Sequence, residues 1–331
     1  MKTIQANSLV STKNLPEDEW LKYRRMGIGG SDAAVAAGMS PWKGRYELYM
    51  DKVHDITHDF TAESKERMHW GNVLETPIAE EFARRHPEFK VERRNSIFQS
   101  KRFPFALCNV DRVIFDKKRD SWGVLEIKNT SHFSSKNPEW QETGIPFYYR
   151  LQVQHMLAVL ELDWAYFAYL LGGNQYNEVY LERDQDMIDD LIKEESIFWH
   201  HVTSREEPPV DDFKGTTELL QNKFKAQKDK EIDLSDQKTL VENLRSAKAL
   251  QTDAKSAEKL ATKALDQAKN ELRLALGNSE IAMYDGKRIA TWKESTTRRF
   301  DQKGFAEAHD DLYESFKKDN FSRTLRLTKE I

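Results

Sequence analysis

Two apolar, β-rich segments near the middle of the chain limit its fold more than any other feature. "FALCNVDRVIFD" and "WGVLEIKNT" stand on either side of the polar stretch "DKKRDS", a pattern that predicts an antiparallel hairpin. Charged residues interrupt both runs: Asp111 in the first, Glu126 and Lys128 in the second. Glu126 and Lys128 are two residues apart and so share one face of a strand. Strand interiors disfavour such residues, and buried charge without a partner is costly. A divalent cation is the simplest partner for the two carboxylates. With the Ile127 carbonyl between them, they offer the hard oxygen ligands that suit magnesium or manganese. A lysine beside them can orient an attacking water and help deprotonate it, or offset charge developing on a phosphoryl oxygen. Taken alone, the pattern has a blander account in a cross-strand Asp–Lys salt bridge.

The surroundings add further candidates. From Trp20 to about Arg205 the chain reads as mixed α and β. "ERMHWGNVLETPIAEEFARRH" predicts a helix in spite of Pro77 near its start, because Val73, Leu74, Ile78, Ala79 and Phe82 recur at helical spacing. Glu75 lies on its apolar side and is a candidate third carboxylate; the alternative is a first-turn glutamate favoured by the helix dipole. After the hairpin, "PFYYRLQVQHMLAVLEL" predicts a helix carrying Gln152 and Gln154 in apolar company. Either amide can reach a phosphate or a water, or simply tie the helix to a neighbouring strand end. Strands in "WAYFAYLLGG" and "NEVYLER" and a helix through "DQDMIDDLIKEESIFWHHV" complete this part.

Upstream, "GIGGSDAAVAAG" leads three glycines into a short helix that Ser31 is expected to cap and Gly38 to close, followed by a second helix in "GRYELYMDKV". The loop is not a dinucleotide fingerprint, since Asp32 stands where a third glycine should be. It also lacks the Gly-Lys-Ser/Thr ending of a P-loop. The helix N-terminal amides, with Arg24 nearby, suit another anion.

Past "SREEPPVDD" the composition changes. Leu240, Leu244, Ala247, Ala254, Ala261, Leu265, Ala268, Leu272 and Ala275 fit a heptad frame, which predicts a long helix over about 234–276. "IAMYDGKRIATW" predicts a hairpin over about 280–293, turning at Asp285-Gly286. In the tail, Arg298, Arg299, Lys317, Lys318, Arg323 and Arg326 are mixed with acids, and "SRTLRLTK" reads as a final strand. A single cysteine, Cys108, excludes an intrachain disulfide framework and a cysteine zinc cluster. With 51 basic and 55 acidic residues the net charge is −4, so the chain is not a globally basic nucleic-acid coat. A local cleft can still bind a polyanion. The N-terminus lacks a signal-peptide core and no apolar run spans a bilayer, so a soluble cytoplasmic protein is expected.

In this order, "GIGGSDAA…SPW", "GNVLETPIAEEF", "NVDRVI", "LEIKNT" and "YRLQVQHML" together resemble the YqaJ-like viral recombinase family. These are phage and prophage exonucleases of the lambda exonuclease type within the PD-(D/E)xK superfamily. The resemblance implies an α/β (α+β) fold: a restriction-endonuclease-like core with a central mixed sheet flanked by helices in residues 1–208, and an accessory region in 209–331. It implies processive 5′-to-3′ digestion of linear duplex DNA, with the 3′ overhang passed to a phage single-strand annealing protein (RecT/Redβ-like). By the same resemblance Asp111, Glu126, the Ile127 carbonyl and Glu75 would hold one or two Mg2+ (or Mn2+) ions, and Lys128 would position the water. Gln154, ahead of Gln152, matches the superfamily's glutamine helix motif, although Ala158 replaces the tyrosine that often follows. Arg24 and Ser31 match the residues that hold the 5′-terminal phosphate. A ring-shaped homotrimer in a bacterial cytoplasm, phage or prophage encoded, is implied as well. An endonuclease, or a DNA-binding or scaffold protein of the same fold without catalysis, is the alternative.

Overall fold

In a computed structural model of the chain, residues 3–54, 61–131, 138–224, 227, 230–318, 325 and 327 are described. The elements run in the order β1 (Asn7–Ser11), α1 (Glu17–Arg25), α2 (Gly30–Ala36), α3 (Arg45–Val53), α4 (Ala62–Arg85), β2 (Phe89–Glu92), β3 (Ser96–Gln99) and β4 (Leu107–Cys108). Then come β5 (Arg112–Asp116), β6 (Ser121–Thr130), α5 (Pro138–Glu142), α6 (Phe147–Leu160), β7 (Trp164–Leu171), β8 (Gln175–Glu182) and α7 (Gln185–Ser204). The chain continues with α8 (Lys214–Lys223), α9 (Lys238–Leu276), β9 (Ile281–Tyr284), β10 (Lys287–Thr291), α10 (Gln302–Ala308) and α11 (Asp310–Ser315).

The core sheet has the order β2-β5-β6-β7-β8. The expected hairpin is its centre: β5 and β6 pair antiparallel from Arg112 opposite Leu125 to Asp116 opposite Ser121. β6 then pairs in parallel with β7, which requires a crossover, and α6 supplies it. The sheet is therefore mixed, with a helix layer on each face, as the resemblance implied. Val113 and Val124 pack with Val153, Met156 and Leu157 of α6 on one face. Ile114, Leu125 and Ile127 pack with Ile78, Ala79 and Phe82 of α4 on the other. This alternation places Glu126, in step with Val124, on the α6 face. Gly123 in β6 is required by close packing, because a Cβ there would lie 2.6 Å from the Trp164 ring.

Three local expectations change. Asp111 lies just before β5, in a bend between β4 and β5, rather than inside a strand. α4 starts at Ala62, with the Thr61 hydroxyl accepting from the Ser64 N–H at 3.1 Å, so Glu75 and Pro77 sit deep in a 24-residue helix. That removes the first-turn account of Glu75. Ser31 does not cap α2: Gly29 is the N-cap residue, and the Asp32 carboxylate accepts from its N–H at 3.2 Å. Gly38 closes the helix as expected. With φ of +71°, it and Met39 donate to the Val35 and Ala34 carbonyls at 2.9 and 2.8 Å, a Schellman ending.

The chain divides into two compact units, Met1–Phe224 and Lys225–Ile331, so the first runs past the expected boundary at 208. The physical reason is polar anchoring of residues 207–223. Asp211 accepts from the Tyr46 N–H at 3.1 Å and the Thr216 hydroxyl at 2.5 Å, and Glu207 accepts from the Tyr46 hydroxyl at 2.9 Å. In the second unit, α9 runs for 39 residues with no buried side chain. The β9–β10 hairpin turns at Asp285 and Gly286 with φ of 48° and 73°, both positive as a type I′ turn requires. Of the expected strand in "SRTLRLTK" only Leu325 and Leu327 are described; Arg323 and Arg326 lie outside the described residues. Among the described residues no helix is long and apolar enough to cross a membrane.

Candidate active site

The α6 face of β6 carries the chemistry. Glu126 is 2% exposed, and its Oε1 accepts from Lys128 Nζ and, at 2.6 Å, from the Gln152 amide of α6. Asp111 approaches from the lead-in to β5, where its Oδ2 accepts from the Ile127 N–H at 2.8 Å. A residue in an extended strand turns its N–H and C=O toward the same neighbour. The Ile127 carbonyl thus faces the Asp111 side, as a ligand role requires.

One lysine serves two buried carboxylates here. Burial, and then the charge of Asp111, push the Glu126 carboxyl up to about 7 in spite of Lys128. Burial also raises Asp111, against the pull of Lys128 and the Ile127 N–H. Burial alone would lower Lys128, but Glu126 and Asp111 hold it above its ordinary value. The neighbourhood is short of positive charge.

Glu75 is placed differently from the expectation. It comes from α4, on the opposite face of the sheet, and pairs with Arg112 Nη1, while Arg93 lies 3.7 Å away. Arg112 also donates to the Thr76 hydroxyl at 3.3 Å. Glu75 is close enough for its charge to raise both Asp111 and Glu126. Yet no three Asp, Glu, His or Cys side chains among the described residues form a ready metal cluster. Asp111, Glu126 and the Ile127 carbonyl still fit a hard divalent cation. Their donors are all oxygen, and the raised Glu126 carboxyl marks a deficit that such an ion would fill.

The two glutamines separate cleanly. Gln152 reaches Glu126. Gln154 donates to the Glu182 carbonyl at 2.7 Å and accepts from the Asp184 N–H at 2.9 Å, fastening α6 to the β8–α7 junction. Of the two, Gln152, which the motif match had ranked second, is the one that touches Glu126. Ala158, where a tyrosine was noted as missing, is buried against Ile188 and Ile192 of α7.

The glycine loop meets the site at the same glutamine. Gly27 allows the loop to lie against the chain before β4, since a Cβ there would fall 2.3 Å from the Phe105 carbonyl oxygen. Ile28 then exchanges hydrogen bonds with Phe105 and Leu107 at 2.7 and 2.8 Å. A Cβ on Gly30 would lie 3.5 Å from the Gln152 side chain. Arg24 and Ser31 are brought together: Arg24 Nη2 donates to the Ser31 hydroxyl at 2.7 Å and to Asp32 at 3.3 Å. Lys52 of α3 donates to the other Asp32 oxygen at 2.7 Å and to the Arg24 carbonyl at 2.8 Å. Burial would raise Asp32, but Lys52 and Arg24 overrule it and hold its carboxyl far below the usual range. Lys52 itself is lowered by burial more than Asp32 raises it. Two cations around one carboxylate leave a positive surplus at the start of α2.

Several participants were not anticipated. Asp32 had been read only as a misfit to a glycine fingerprint, Lys52 gives no local signal, and Arg112 was hidden beside Asp111. Tyr149, one turn before Gln152, places its ring 5.8 Å from Lys128 Nζ. Behind α2, His155 is fully buried with acceptors at both ring nitrogens, Glu195 at 2.7 Å and the Leu107 carbonyl at 2.8 Å. Burial opposes its charge, but Glu195 raises it above its ordinary value, and two acceptors demand the doubly protonated ring.

A mixed α/β core thus carries under-neutralised carboxylates on and beside its central strand, with Arg24 and Lys52 gathered at the start of α2. A family model described as the YqaJ-like viral recombinase domain matches residues 19–163. The chain is also 33% identical over 342 aligned positions to the uncharacterized protein YqaJ of Bacillus subtilis (strain 168), with both chains covered completely. It therefore belongs to the YqaJ-like viral recombinase family. Similar solved structures include an alkaline exonuclease (LHK-Exo) from Laribacter hongkongensis, at 20% identity and TM-score 0.45, covering 57% of this chain and 93% of that one. Another is a phage related exonuclease from Haemophilus somnus 129PT, at 12% identity and TM-score 0.40, covering 56% of this chain and 99% of that one.

Proposed function

We propose that this chain is a metal-dependent nuclease that digests linear duplex DNA from a 5′-phosphorylated end, leaving a 3′ overhang. The observation that carries the reading is the position of Gln152: its amide hydrogen-bonds Glu126 while its stem packs beside Gly30. A grip for a terminal phosphate and a cation site for a scissile phosphate therefore share one side chain.

Asp111, Glu126 and the Ile127 carbonyl would hold the ion, Mg2+ or Mn2+, and Glu75 would join only by leaving Arg112. When bound, such an ion supplies Lewis-acid polarisation of a phosphodiester and lowers the pKa of water. Lys128, kept beside Glu126, orients the attacking water and offsets charge developing on the phosphoryl oxygens. Gln152 holds Glu126 in one rotamer. Arg24 and Ser31 take the terminal phosphate, the guanidinium through charge-assisted hydrogen bonds, which selects the 5′ end. A ring-shaped homotrimer and delivery of the overhang to a single-strand annealing protein extend the same reading.

The test is a linear duplex labelled at either end, incubated with and without magnesium beside a covalently closed circle. Stepwise loss from 5′-phosphorylated ends, only with metal and without cutting of the circle, is the expected result. Cutting of the circle would favour the endonuclease alternative, and indifference to metal would favour a scaffold.

A further inference from the structure

We propose that Trp42 and Tyr148 form a stacking platform for a nucleobase of the strand held in the candidate active site, a subsite that rests on the nuclease reading above. Three aromatic rings lead outward from Lys128. Its Nζ lies 5.8 Å from the Tyr149 ring. Tyr149 packs on Tyr148 with centroids 4.5 Å apart, and Tyr148 meets Trp42 edge-on at 6.4 Å and 85°. The inner ring is anchored, because Tyr149 also packs on Trp140 and Phe167 at 6.0 and 5.3 Å. The outer ring is open: Trp42 is 76% exposed, whereas Trp140 and Trp164 are 8% and 3% exposed.

A single exposed aromatic is ordinary on a protein surface. Trp42 differs because it is held in place and continues a path that begins at the site. Its backbone N–H donates to the Ser40 hydroxyl at 3.2 Å, and its ring rests edge-on against Tyr148. Ala33 and Ala34 of α2 form one buried cluster with Leu151 of α6, against which Ala37, at the end of α2, and Tyr148 both pack. Helix α2 therefore lies along α6 with Ser31 at one end and the platform beyond the other. Its seven residues span about 10 Å, or roughly three base steps of about 3.4 Å. The phosphate grip, the acidic strand and the platform are thus spaced like successive parts of one strand end. Every base has a π face, so stacking is tolerant of sequence, which suits an enzyme that must consume whatever base comes next.

The experiment measures binding of a 5′-phosphorylated duplex by fluorescence anisotropy in EDTA, for the wild type, Trp42→Ala and Trp42→Phe. Each protein is tested on intact duplex and on duplexes carrying one abasic site at the first, second or third position from the 5′ end. Trp42→Ala should bind intact duplex about 10-fold more weakly, the order that one base–aromatic stack contributes, and Trp42→Phe should recover most of the loss. At one of the three positions the abasic site should weaken the wild type by a similar factor and leave Trp42→Ala unaffected. Equal affinities of wild type and Trp42→Ala for every duplex, or equal abasic penalties in both, would overturn the platform and leave Trp42 to a protein partner. If the wild type digests no linear duplex with magnesium, the nuclease reading fails instead. Digestion together with an indifferent Trp42 sinks the platform alone.

Discussion

Two acidic neighbourhoods flank α6 and have opposite electrostatics. Asp32 is enclosed by Lys52 and Arg24 and stays ionised although its side chain is only 13% exposed. Glu126 is buried more deeply still but shares one lysine with Asp111, and its carboxyl is pushed up to about 7. In the first neighbourhood the chain's own cations outnumber the carboxylate, so Asp32 itself reads as framework that shapes the loop. The second holds more carboxylates than cations of its own chain, and reads as a place where something binds. Burial is common to both, so it is the count of nearby cations that separates framework from active site.

The contrast can be broken in several ways. Lys128→Ala and Glu126→Ala should each reduce digestion by at least about 10²–10³-fold, the order seen when one preorganised electrostatic group is lost. Their circular dichroism spectra should remain those of the wild type. Near-normal activity in either variant would remove the E-x-K strand from the chemistry. Asp32→Ala should act on the fold instead, costing about 3–5 kcal/mol in denaturant unfolding, because it strands Lys52, whose side chain is 3% exposed. The acid limb gives a second check. The folded carboxyl is depressed, so its contribution is complete above the unfolded value of about 3.9 and lost as pH falls through the folded value. Asp32→Asn should therefore flatten the loss of stability below about pH 4; an unchanged acid limb would mean Asp32 is not so compensated.

The two glutamines sharpen the contrast on a smaller scale. Gln152→Ala should lower kcat roughly 10-fold or more, as expected when a group that orients a catalytic residue is lost, with little change in Tm. Gln154→Ala should leave kcat and cost about 1–3 kcal/mol, through the Asp184 N–H and Glu182 carbonyl left without their partner. Reversed behaviour would return Gln154 to the site. Least in size, Arg24→Ala should reduce the preference for 5′-phosphate over 5′-hydroxyl ends by about 10-fold, the share of one charge-assisted contact. An unchanged ratio of initial rates would remove Arg24 from the grip.

Much of the molecule is written locally. Period-two apolar runs around "DKKRDS" are enough for the central hairpin, and an acid, a turn and E-x-K are enough to put Glu126 and Lys128 on one face, because strand parity is a property of the chain alone. Gly38 after an alanine run, and Asp285-Gly286 between two short strands, fix their turns because few residues accept positive φ. Periodicity could not choose between Gln152 and Gln154, since α6 is buried from Leu151 to Leu160 and has no solvent face to orient it. Only the tertiary structure shows that the β8–α7 junction claims Gln154 and that Gln152 reaches Glu126. Spacing also could not show that Arg112 pairs with Glu75. Nor could it show that Lys52, 20 residues after Asp32, reaches its carboxylate. The sequence by itself determined the elements and the faces on which charges stand, through backbone sterics and side-chain parity. Which charges meet was decided only by the tertiary structure, because the strength of a charge's partnership depends on distance and burial between residues far apart in the chain.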